Sequence, residues 1–62
     1  MREYYVCYIC WNGQRLVSVE KVNSAEEAEK KWRSHGAIDP RTKLVTITTD
    51  RAVMENFRYG RL

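Results

Sequence analysis

The sequence predicts an α+β fold: a β-hairpin, a helix, a third strand and a short C-terminal helix. Three observations carry this. Two β-rich runs, Tyr4 to Trp11 and Gln14 to Val22, flank the dipeptide Asn12-Gly13. Ser24 stands three residues ahead of Glu27 at the head of a charged, helix-forming stretch. Beyond the turn signal Asp39-Pro40, the segment Lys43 to Thr49 is rich in Val, Ile and Thr.

Asn-Gly between alternating apolar runs is a strong short-range signal for a two-residue type I′ hairpin, because both central residues tolerate positive φ. That turn sets Ile9 against Leu16, Tyr8 against Val17, Cys7 against Ser18 and Val6 against Val19. One face then carries Tyr4, Val6, Tyr8, Cys10, Val17 and Val19, and the other Tyr5, Cys7, Ile9, Trp11 and Leu16. Both faces are apolar enough to need cover.

The helix is expected to open at Ser24, with Glu27 as the return arm of a capping box and acidic residues in the first turn, and to run to about His35. Glu26 with Lys30, Glu27 with Lys31 and Glu29 with Arg33 are i,i+4 pairs in the favourable acid-first order. Ala25, Ala28 and Trp32 form a narrow apolar stripe. Gly36 is placed to end the helix in a left-handed conformation.

In the third strand, Val45 and Ile47 are expected on one face and Leu44, Thr46 and Thr48 on the other. A right-handed crossover through the helix returns this strand beside the first, antiparallel to it, giving the sheet order 3-1-2. Asp50 caps a short helix from Arg51 to about Arg58, with Val53, Met54 and Phe57 turned to the second sheet face. The alternation Val53, Glu55, Phe57, Tyr59 leaves a fourth strand as the alternative.

At 62 residues the chain makes a single domain, residues 1–62, near the lower size at which one core outweighs chain entropy. No apolar run approaches the roughly 20 residues of a membrane span, and no signal-peptide pattern follows Met1, so a cytoplasmic location is expected. The net charge of +3 is unevenly distributed. Through Glu29 three basic residues face five acidic ones, whereas from Lys30 onward eight basic residues face three acidic ones. Such asymmetry steers anionic partners toward one part of a molecule.

Catalysis is not expected. The chain has one His, its acids lie mostly along the outside of a helix, and Ser18, Ser24 and Ser34 carry no local signature. No Gly-rich phosphate loop and no cofactor motif occurs. Cys7 and Cys10 have C-x-x-C spacing, but a structural zinc site needs four ligands and His35 is the only further candidate. In a strand, positions i and i+3 also point to opposite faces. Two structural thiols are the favoured reading, with a zinc-bridged homodimer as an alternative.

The aromatic residues Tyr4, Tyr5, Tyr8 and Trp11 divide between both sheet faces, so Tyr5, Ile9, Trp11 and Leu16 either stay partly exposed as a cluster near the hairpin or are covered by the C-terminal segment. Tyr5, Trp11 and Arg15 are the expected partner-binding anchors, with Lys43, Arg51, Arg58 and Arg61 supporting them. A second reading places single-stranded nucleic acid on the same residues, with Tyr5 and Trp11 stacking on bases and Arg15, Arg58 and Arg61 on phosphates.

From Val17 through Ile47, the order of a strand, the Asn-Ser-Ala-Glu-Glu-Ala helix start and a short Val/Ile/Thr strand resembles small phage and mobile-element proteins, including some anti-CRISPR proteins. The resemblance covers about half of the chain. It implies a non-enzymatic inhibitor, working in the host cytoplasm, that binds a host nuclease complex and blocks its nucleic-acid site or its assembly. It assigns no individual residue.

Overall fold

The computed structural model describes residues 1–35 and 39–61. The elements are β1 (Arg2–Ile9), β2 (Arg15–Val22), α1 (Ala25–Arg33), β3 (Lys43–Thr48) and α2 (Arg51–Arg58). The three strands form one antiparallel sheet in the order β2-β1-β3, the expected 3-1-2 arrangement. The C-terminal segment is helical, with the Asp50 side chain accepting from the Ala52 amide. Gly36, the expected helix terminator, lies outside the described residues.

The hairpin departs from expectation in its turn and therefore in its register. The Gly13 amide donates to the Cys10 carbonyl and the Cys10 amide to the Gln14 carbonyl, each at 2.9 Å. Gly13 alone in this loop has positive φ, at 84°, so Asn12 is not left-handed as a type I′ turn requires. The loop is thus the three residues Trp11, Asn12 and Gly13, with Gly13 in the left-handed position of a G1 bulge. The Asn12 side chain holds it by accepting from the Gln14 amide at 3.0 Å.

One added loop residue shifts β2 by one position. Tyr8 now opposes Leu16, Cys7 opposes Val17, Val6 opposes Ser18 and Tyr5 opposes Val19. Because side chains alternate with a period of two, this moves Leu16 to the face of Val6 and Tyr8, and Val17 and Val19 to the face of Tyr5 and Cys7. The face pattern read for β1 holds; that for β2 is reversed.

A second irregularity lies in β3. Cys7 opposes Thr46 but Tyr8 opposes Leu44, so Val45 is bulged out and exposed. The bulge lets Leu44 and Ile47 share one face and overturns the expected pairing of Val45 with Ile47.

Each sheet face is covered by one helix. α1 lays Ala28 and Trp32 on Val6 and Val22, with Tyr4, Tyr8, Leu44 and Ile47 around them, while Ala25 is exposed. α2 lays Met54 and Phe57 on Cys7, with Tyr5, Ile9 and Val17 around them. The second face is therefore covered and not an open aromatic platform. Burying residues such as Val6 and Phe57 fully contributes about 1.5–3 kcal/mol each. Ser24 caps α1 by accepting from the Glu27 amide at 3.2 Å, and Glu27 reaches back to the Asn23 amide at 3.4 Å. Among the i,i+4 pairs, Glu29 and Arg33 meet at 2.9 Å. No described helix is long and apolar enough to cross a membrane.

Candidate functional site

The topology gathers charge at one end. β1 rises to the hairpin loop, β2 starts there, and β3 starts opposite Ile9. α1 rises from the far end and finishes beside the same loop, where Trp32 and His35 share a cleft with Cys10 and Trp11. α2 ends there as well, since the Arg15 guanidinium donates to the Phe57 carbonyl at 3.0 Å. The hairpin end thus collects Arg15, Arg41, Lys43, Arg58 and Arg61, which the sequence spreads over most of its length.

Two exposed aromatic residues stand at this end. Trp11 is 62% exposed and Tyr59 is 69% exposed. The Arg41 guanidinium lies 5.3 Å from the Trp11 ring centroid, and that of Arg61 lies 5.5 Å from the Tyr59 centroid. Both distances are within cation–π range. Arg41 is also clamped by Asp39 through bonds of 2.9 and 3.1 Å, which hold the Asp39 carboxyl below its usual value. Tyr59 and Arg41 were not singled out by sequence reasoning. The Asp39-Pro40-Arg41 spacing was the one available signal, since an Asp side chain commonly bonds two residues on.

Between the loop and the end of α1 lies a cleft of about 420 Å³, lined by Tyr8, Cys10, Trp11, Leu16, Ser18, Trp32, His35, Asp39 and Thr42. The Tyr8 and Trp32 rings form one wall, 5.0 Å apart and tilted by 48°. Behind it sits Glu20, only 4% exposed. Its carboxylate accepts from the Ser18 hydroxyl at 2.8 Å and lies 3.1 Å from His35 Nε2. Burial would raise the Glu20 pKa, but the Ser18 and His35 bonds, with the charges of His35 and Lys31, together bring it below the usual value. His35, just past the end of α1, reaches across to Glu20 on β2.

Ser, Glu and His thus meet, but the order is not that of a nucleophile and its base. The hydroxyl donates to the carboxylate and not to the imidazole, so nothing withdraws the Ser18 proton toward His35. Cys7 is fully buried against Met54 and Phe57, and burial pushes its thiol pKa up. Cys10 borders the cleft on the opposite side of the sheet. Among the described residues no three His, Cys, Asp or Glu side chains converge as a metal site.

The expected anchors separate. Tyr5, Arg15 and Arg58 line a second pocket of about 220 Å³ with Val17, Val19 and Met54, on the α2 side. Trp11 lines the cleft on the α1 side, because the three-residue loop takes it out of the strand alternation. Lys43 is exposed at the start of β3. Arg51 sits at the opposite end, 3.6 Å from Glu55, and does not join the others.

Compared with family models, with curated proteins and with solved structures, the chain shows no significant match.

Proposed function

We propose that the chain is a non-enzymatic protein-binding module that engages its partner with the hairpin end. The observation that carries this is the pair of exposed, arginine-stacked aromatics, Trp11 with Arg41 and Tyr59 with Arg61, at one end of the molecule. Trp, Tyr and Arg are the residues that dominate protein-binding hot spots, and rings held by stacked guanidinium groups lose little further freedom on docking. The adjoining cleft offers room for a partner side chain. The inhibitor reading drawn from the Val17–Ile47 resemblance makes a nuclease complex the first partner to test.

Direct binding of single-stranded nucleic acid is the second reading, favoured by the basic residues around the same rings. It is the weaker because Arg41 is engaged by Asp39 and Arg33 by Glu29, which lowers the charge left for phosphates.

The test is a pull-down with tagged wild type beside a folded Trp11→Ala/Tyr59→Ala variant, with nuclease treatment. A protein retained after nuclease and weakened by about 30-fold or more in the variant supports the module, since a hot-spot residue is worth about 2 kcal/mol. Recovery of nucleic acid alone, with binding that falls steeply as salt rises, overturns it in favour of the second reading.

A further inference from the structure

We infer that the cleft between the hairpin loop and the end of α1 takes a tryptophan side chain of the partner protein, its ring among the aromatic walls and its indole N–H donating to an acceptor of the cleft. This rests on the protein-binding reading and names the partner's anchor.

The walls suit a flat apolar body. Tyr8 and Trp32 stand 5.0 Å apart and tilted by 48°, Leu16 lines the cleft with them, and Trp11, 62% exposed, borders it from the loop. A ring entering here meets other rings, and aromatic pairs gain from tilted or offset contact beyond the area they bury. The volume of about 420 Å³ leaves room for a large side chain.

The polar groups decide which flat body. Ser18 gives its hydroxyl hydrogen to Glu20 at 2.8 Å, so lone pairs are what its oxygen has left for a ligand. Glu20 is ionised at neutral pH and can only accept. That assigns the hydrogen of the neutral His35 ring to Nε2, 3.1 Å from Glu20, and leaves Nδ1 an acceptor. Asp39 adds a carboxylate, while the Tyr8 and Thr42 hydroxyls serve either role. Among the described residues no Lys or Arg lines the cleft. A ligand carboxylate or amide carbonyl would therefore face acceptors, and an acceptor buried without a partner keeps its full desolvation cost. The side chains that only donate are Lys, Arg and Trp. A further cation is disfavoured: Arg41 already meets Asp39 at 2.9 Å, Lys31 lends its charge to Glu20, and the surrounding end is basic. Tryptophan is left, uncharged, flat and donor-only. It is also a hot-spot residue, and hot spots tend to meet hot spots on the other side, here Trp11.

The probe is N-acetyltryptophanamide, titrated into the full isotope-labelled chain and followed by NMR. A Kd on the order of 1 mM is expected for a ligand of this size, with shifts centred on Ser18, His35, Thr42 and the Trp11 indole. Its indole N-methyl derivative keeps the ring and loses the donor, and is expected to bind about tenfold more weakly. Equal binding of the two, or no saturable shift at tens of millimolar probe, overturns the inference. Shifts centred on Met54 and Arg58 would put the ring in the α2-side pocket and overturn it too. Tighter binding of N-acetylargininamide, or of adenosine monophosphate, at the cleft residues would give the cleft to a cation or a nucleobase instead. In the pull-down, probe at about 10 times its Kd is expected to lower capture of the partner by up to about tenfold, and the methylated probe at the same concentration far less. Capture that the probe leaves unchanged overturns the tryptophan anchor and leaves the module standing. No capture by wild type sinks the module, and the anchor falls with it even where the probe binds.

Discussion

The Arg15 guanidinium lies 5.0 Å from the Phe57 ring centroid and donates to the Phe57 carbonyl at 3.0 Å. One side chain at the start of β2 thereby covers the ring that fills the second core and bonds the last turn of α2, where a cation also meets the negative end of the helix dipole. Arg15→Ala is expected to cost about 1–3 kcal/mol, the range for a charge-assisted bond with some stacking. Arg15→Lys should recover only part of it, because an ammonium neither stacks nor forks. Urea denaturation of the three proteins checks this; equal stability of Arg15→Ala and wild type would remove the proposed tie between hairpin and α2.

Phe57 is fully buried and Met54 nearly so, and together with Cys7 they make the second core. Phe57→Ala is expected to cost about 3–5 kcal/mol, as much as a chain of this size commonly has in total. The variant should be largely unfolded at 25 °C by circular dichroism. A cooperative, near-wild-type melt would mean that α2 is not needed to cover this face.

Glu20 gives stability a pH dependence with a definite sign. Its folded pKa lies below the ordinary 4.5, through the Ser18 and His35 bonds and the charges of His35 and Lys31, which outweigh burial. The contribution is fully present above the unfolded value and is lost as pH falls through the folded one. Glu20→Gln should therefore be less stable than wild type at neutral pH, and the gap should close as pH falls below the ordinary carboxylate range and through the lowered folded value. Thermal melts from pH 7 to pH 3 measure it; a gap that widens on acidification would contradict this role.

Gly13 has φ of 84°, and a Cβ built there meets nothing within 4 Å, so a substitution there costs conformation and not space. Gly13→Ala is expected to lower stability by about 1–2 kcal/mol. Gly13→Asn should lose less, since Asn visits the left-handed region more readily. Chemical denaturation separates the two, and Ala equal to Asn would argue for a different turn.

The two thiols should respond unequally. Cys10 is half-buried at the cleft, whereas Cys7 is buried with its thiol pKa pushed up, so its thiolate is scarce. A maleimide is expected to label Cys10 in the native protein and Cys7 only after unfolding, as read by mass spectrometry. Fast labelling of both, or stoichiometric zinc bound through Cys7, would require that side chain to leave the core.

Local chemistry settled much of this protein in advance. The capping box at Ser24, the Asp50 cap and the strand alternation of β1 depend on neighbours in sequence, so the elements were legible, and the sheet order followed from how they connect. The hairpin turn was not legible. Asn12-Gly13 satisfies a two-residue or a three-residue loop, and the choice falls to the core: only the longer loop sends Leu16 to the α1 side, and Val17 and Val19 to the α2 side. The bulge at Val45 arises in the same way, by bringing both Leu44 and Ile47 under α1. The site was less legible still, since Arg41 on Trp11 and His35 on Glu20 join side chains from separate elements or loops. Sequence alone determined which elements form and how they connect; tertiary packing decided register, cover and the basic aromatic end, because a one-residue slip changes no local preference yet exchanges every side chain between the two faces of a sheet.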